Sequence, residues 1–134
     1  MGRNNRSLNE SKLSLEAAAN VVKTGIFHTS DKENRESIES QGLVASKPWD
    51  DEPKGVYLHV GKPYPARQDP NQDVYQVIPT SSSIPIHKDT GEEGNVFIPR
   101  TVPISDFKRV GHFYRTADGH PEMHWHKEED CPNG

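Results

Sequence analysis

A chain of 134 residues has the length of one domain and can bury roughly two-thirds of the surface its unfolded form exposes; with hydrophobic residues at 31% and a mean hydropathy of −0.91, its core is thin and its ends add little to it. A net charge of −4 and a pI near 5.9 remove the broad basic field that non-specific nucleic-acid binding requires, so nucleic acid is not the expected partner and Lys108-Arg109 reads as solvated surface. The lone cysteine, Cys131, excludes an intrachain disulfide and a cysteine-only zinc site; with no apolar signal core in Met1 to Lys12 and no run near ~20 apolar residues, a soluble chain without a membrane partner is expected, cytoplasmic or delivered as a secreted effector without a cleavable signal peptide.

Residues 1–12 read as a disordered lead, 13–127 as a single domain and 128–134 as a polar tail. Leu15, Ala18, Ala19 and Val22 repeat at the spacing of one helical face, with Ser11 or Ser14 as cap. Thr24-Gly25 ends that helix and leads into Ile26-Phe27-His28-Thr29, a β-rich segment expected to be the first core strand. Ser30-Asp31-Lys32-Glu33 fits a capping box, which predicts a helix starting there. Gly42 suits its left-handed end, with Leu43 over Ile38. Ile38 is the only aliphatic residue in this second helix, which therefore lies on the surface and touches the core at one point.

Lys47 to Lys54 reads as a loop. Gly55 to Val60 is the clearest strand, with Val56, Leu58 and Val60 on one face and Tyr57 and His59 on the other, where a cleft is expected. The prolines of residues 61–72 exclude a long helix and predict a loop over that cleft. Val74 to Ile78, Ile84 to Ile86, Asn95 to Ile98, Val110 to Tyr114 and Met123 to His126 are short strand candidates separated by turn residues. Helices early and strands late predict an α+β fold, an antiparallel or mixed sheet with helices on its flank.

Neither type of phosphate-cradling glycine loop is present, nor a Gly-x-Ser-x-Gly elbow or a His-Glu-x-x-His helix. What remains is an ordered series: FHTS, then ENRESIESQGL, then GVYL, and later VYQVIPTSSSIPIHKD, GNVFIPRTVPISDFKRVG and DGHPE. This order resembles the ADP-ribosyltransferase superfamily, in particular its diphtheria-toxin-like branch with a His, a Tyr and an acidic residue on successive strands. The second half is similar to small rifamycin-modifying members. The likeness covers roughly residues 25 to 122 and rests on the order of short motifs.

The resemblance implies split β-sheets with flanking short helices, and an enzyme that binds NAD as substrate and cleaves its nicotinamide–ribose bond. It carries the cofactor-binding role onto His28, Thr29, Ser30, Tyr57 and Leu58. His28 would hydrogen-bond the adenosine ribose, and Tyr57 would stack on nicotinamide, a flat group well held by an aromatic face. His28 and Tyr57 are expected to open into one cleft. Cleavage develops an oxocarbenium-like ribose, so a carboxylate near C1′ and the 2′-hydroxyl stabilises charge that grows in the transition state. Glu93 is the first choice for that carboxylate, with Glu92 and Asp89 as alternatives; many family members place the acid where this chain has Asn95. The acceptor of ADP-ribose is open, and an immunity or inhibitor protein is an implied partner if the chain is a toxin or effector.

Alternative readings are an NAD glycohydrolase, an RNA 2′-phosphotransferase of the same fold using Arg35, Arg67, Arg100 and Arg109 to hold phosphate, or a non-enzymatic protein-binding module. The spacing of His120, His124, His126 and Cys131 invites a metal reading, since imidazoles at i and i+2 share one strand face. The polar face of a terminal strand is the plainer account, and no metal is assigned.

Overall fold

The computed structural model describes residues 12–47, 53–65, 71–81, 84–89 and 94–126. The first helix, α1 (Leu15–Thr24), begins where the Ser14 hydroxyl accepts the Ala17 amide at 3.1 Å, so Ser14 is its cap; Ser11 lies outside the described residues. Glu16 in its first turn and Lys23 in its last suit the helix dipole. Ala18, Val21 and Val22 pack against the core, whereas Leu15 is exposed. The Leu15, Ala18, Ala19, Val22 stripe lines an open groove of about 320 Å³ against Pro79, Ser81, Ile84 and Ile86.

Strand β1 (Ile26–Asp31) follows, then a 3₁₀ turn at Lys32–Asn34 and helix α2 (Arg35–Gln41). The remaining strands are β2 (Val56–Val60), β3 (Gln72–Val77), β4 (His87–Lys88), β5 (Val96–Ile98), β6 (Phe107–Arg115) and β7 (Pro121–Trp125). They form one sheet of seven antiparallel strands in the order β4-β5-β2-β1-β3-β6-β7. The fold is thus α+β, with two short α-helices among the described residues. Ile26, Val56, Leu58, Val77, Val96 and Ile98 bury on one face of the sheet. On the opposite face Phe27, Val74 and Phe113 form a smaller cluster with Val110 and Met123.

Three sequence expectations are corrected here. The Ser30 capping box does not form: Ser30 and Asp31 end β1, paired with Asp73 and Gln72 of β3. The sheet ladder claims their backbone, the Ser30 hydroxyl accepts from Asn34 Nδ2 at 3.1 Å, and the α-helix starts only at Arg35. The strand expected at Ile84 to Ile86 lies at His87–Lys88, because Pro85 has no amide to donate. Ile86 is still buried, and its carbonyl takes the Leu13 amide. β3 begins at Gln72, two residues before the expected start, and carries the buried polar side chains of Gln72 and Asp73. The lead before Lys12 and the tail after 127 lie outside the described residues.

Helix α2 buries Ile38 alone, as its composition requires. It ends at Gly42, whose φ of 89° is a left-handed value and whose amide donates to the Ile38 carbonyl. A side chain at Gly42 would meet the Val102 carbonyl oxygen at 2.5 Å, so Leu43 can bridge to Val102 only because this residue is glycine. At the other end of α2, Arg35 grips Asp73 through Nε and Nη2 at 2.8 and 2.7 Å. The Asp73 side chain is 1% exposed. Arg35→Leu leaves that carboxylate buried and uncompensated, and is expected to cost about 3 kcal/mol in urea unfolding. Adding Asp73→Leu should recover part of the loss; a double variant no more stable than Arg35→Leu would refute this account of the pair.

Candidate functional site

The sheet is weakly joined near its centre. β1 pairs with β3 over five residues, Phe27 to Asp31, but with β2 only through Ile26↔Val60 and Phe27↔His59. Past Phe27 the two central strands part. The His28 ring spans the opening, its Nδ1 3.3 Å from the Tyr57 carbonyl oxygen. A carbonyl only accepts, so Nδ1 carries the hydrogen and Nε2 remains an acceptor. Burial pushes the His28 imidazole below its ordinary value, the Tyr57 carbonyl works against that, and nearby His59 adds to the lowering.

Strand parity separates the side chains of this pair. His28 is opposite Tyr75 on β3, on the face of the larger core. Tyr57 is opposite Phe97 on β5, on the other face. The two residues therefore meet through the imidazole and a backbone carbonyl, and not across one cleft as strand alternation suggested. The Tyr57 ring stacks on Phe97 at 4.9 Å, and Phe97 stacks on His87 at 5.2 Å, giving a row of three rings across β2, β5 and β4. The Tyr57 hydroxyl donates to the Pro53 carbonyl at 2.5 Å.

Of the acidic candidates, Glu92 and Glu93 lie outside the described residues. The Asp89 amide donates to the Asn95 carbonyl at 2.9 Å, extending the β4–β5 ladder by one pair. That pair stands on the same face as His87, Phe97 and Tyr57, so Asp89 and Asn95 join the aromatic row. Thr29 is 9% exposed, leaves β1 on Tyr57's side of the sheet, and has a buried hydroxyl without a hydrogen-bond partner among the described residues. Ser30 closes the strand on His28's side, bonded to Asn34. Leu58 is 1% exposed and belongs to the core.

A second constellation lies towards the β7 edge. His112 of β6 is opposite His124 of β7, and His126 follows on the same face. Ring centroids are 5.1 Å apart for His112 and His124, 5.1 Å for His112 and His126, and 5.8 Å for His124 and His126. His112 Nδ1 and His126 Nε2 approach to 2.9 Å. Burial lowers the His112 imidazole, as do His126 and His124, while Asp73 opposes them. His120 does not join this group: it sits in the hairpin turn, its amide on the Thr116 hydroxyl. Cys131 lies outside the described residues.

His112 was the member missed in the sequence. The signal for it was Asp118-Gly119, a hairpin turn that, once closed, sets His112 against His124. The cations proposed to hold phosphate are dispersed or engaged. Arg35 holds Asp73, Arg109 approaches Glu39 at 3.5 Å, Arg100 is exposed, and Arg67 lies outside the described residues. No helix among the described residues is long and apolar enough to cross a membrane. No protein-family model, curated protein or solved structure matches the chain.

The lowered His28 pKa has a definite consequence for stability. The fold prefers neutral His28, so its contribution is fully present above the unfolded value near 6.5 and is lost as pH falls below it towards the folded value. Urea midpoints should fall between pH 7.5 and pH 5.5, and His28→Gln should flatten that fall, leaving the same-signed share of His112. An unchanged slope in His28→Gln would exclude a buried neutral imidazole at this position.

Proposed function

We propose that this chain is an NAD-dependent enzyme of the ADP-ribosyltransferase type, with the dinucleotide seated in the opening between β1 and β2. The observation that carries this reading is the two-pair β1–β2 ladder, with His28 spanning the gap where it ends. The partnerless Thr29 hydroxyl beside it supports a polar ligand there. The family resemblance implies split β-sheets, whereas the seven strands here form one sheet with a short β1–β2 ladder. A ligand wedged into the opening where that ladder ends is reached from both faces, by His28 on one and by Tyr57 and Thr29 on the other.

In this reading His28 Nε2 accepts from a ribose hydroxyl of the adenosine half. Nicotinamide adds its ring to the aromatic row of Tyr57, Phe97 and His87. The C1′–N bond breaks with its electron pair leaving on nicotinamide. A carboxylate from the β4–β5 turn, Glu93 first, then Glu92 or Asp89, stabilises the positive ribose until an acceptor attacks C1′ and releases its proton. With water as acceptor the same site is an NAD glycohydrolase.

Purified protein incubated with NAD should release nicotinamide, and NAD should raise its melting temperature. His28→Ala and Tyr57→Ala are expected to abolish the thermal shift. Glu93→Gln should keep the shift but slow release by about 100-fold or more; Asp89→Asn and Glu92→Gln assign the role if Glu93→Gln leaves release intact. A wild-type chain showing neither release nor a thermal shift with NAD is incompatible with the proposal.

A further inference from the structure

We propose that His112, His124 and His126 form a three-imidazole site for one first-row divalent cation, zinc by its chemistry. The proposal is independent of NAD binding. Zinc–nitrogen bonds of about 2.0–2.1 Å at tetrahedral angles space the centroids of three bound imidazole rings roughly 5 Å apart. The centroid separations here are 5.1, 5.1 and 5.8 Å. His112 and His126 already turn ring nitrogens towards each other.

At 2.9 Å those two nitrogens stand at the distance of a pair sharing one proton, and no set of ligands among the described residues yet converges at bonding distance. Exchange of that contact for a cation moves the shared hydrogen to the other nitrogen of its ring and needs the pair to open by only about 0.4 Å, to the roughly 3.3 Å between two ligands of one tetrahedral zinc. One feature of the surroundings favours that exchange. The buried Asp73 carboxylate stands opposite His112 on β3, against the opposing charge of nearby Lys32.

The backbone fixes the group. His112 and His124 are direct cross-strand partners, and His126 is held because its amide donates to the Val110 carbonyl at 2.7 Å. His124 is exposed and His112 and His126 are half-buried, so an ion can enter from solvent and keep a fourth position for water or another donor.

The test uses the full untagged chain, stripped with chelator and titrated with Zn²⁺ by calorimetry. One ion per chain should bind, and Co²⁺ should give the visible absorption of a tetrahedral site. Histidine ring ¹⁵N resonances of the wild-type chain should shift on Zn²⁺ addition at residues 112, 124 and 126, with those of His28, His59, His87 and His120 unmoved. His112→Ala, His124→Ala and His126→Ala should each weaken binding by about tenfold or more, and His120→Ala should leave it unchanged. The absence of Zn²⁺ binding, an ion bound without movement of the three ring resonances, or full affinity in a folded His112→Ala/His124→Ala variant would each overturn the site.

Discussion

Much of the molecule depends on one buried carboxylate. Asp73 is held by two charge-assisted bonds from Arg35, and this pair fixes where α2 sits on the sheet. It also accounts for the composition of that helix. Arg35, Ile38 and Glu39 lie on one side of α2, with Arg35 on Asp73, Ile38 in the core and Glu39 near Arg109. A helix with one aliphatic residue can still be anchored when the surface beneath it is itself polar. Here that surface includes Asp73 and Arg109, members of two cross-strand rows: Ser30, Asp73, His112 and His124 in one, His28, Tyr75 and Arg109 in the other.

Those rows explain which parts of the sequence could be read directly. Elements with their own periodicity were legible: α1 from its 3.6-residue spacing, β2 from Val56, Leu58 and Val60, and the end of α2 from Ile38, Gly42 and Leu43. The failures come from long-range pairing. Ser30 has the local chemistry of a helix cap, yet it lies opposite Asp73, 43 positions away in the chain, and the ladder outweighs a cap worth about 1 kcal/mol. Local propensity gave way to tertiary contact.

The candidate sites follow the same division. Alternation correctly turned Tyr57 away from Val56 and Leu58, but it could not give the parity of His28 relative to Tyr57. That depends on the register Phe27↔His59, which no single strand encodes. The histidine group was half legible. His124 and His126 share a face by spacing alone, whereas His112 enters only when the hairpin closes about Asp118-Gly119.

Closure of that hairpin in turn depends on a residue with no side chain. Gly111 packs beneath β7, and a methyl group there would meet the His124 carbonyl oxygen and the Met123 side chain at distances no real contact shows. Any other residue would push β7 away from β6 beside His112 and His124, so the close approach that gathers the imidazoles is set by backbone contact and not by the rings themselves. With the three imidazoles brought together in this way, the His112 value is lowered first by burial and then by His126 and His124. The opposite end of the same sheet face holds another imidazole lowered by burial, His28, at the point where β1 and β2 separate. β3 lies between them, carrying Tyr75 opposite His28 and Asp73 opposite His112. One buried strand therefore backs both constellations, and its one charged side chain, Asp73, is held by Arg35 of α2.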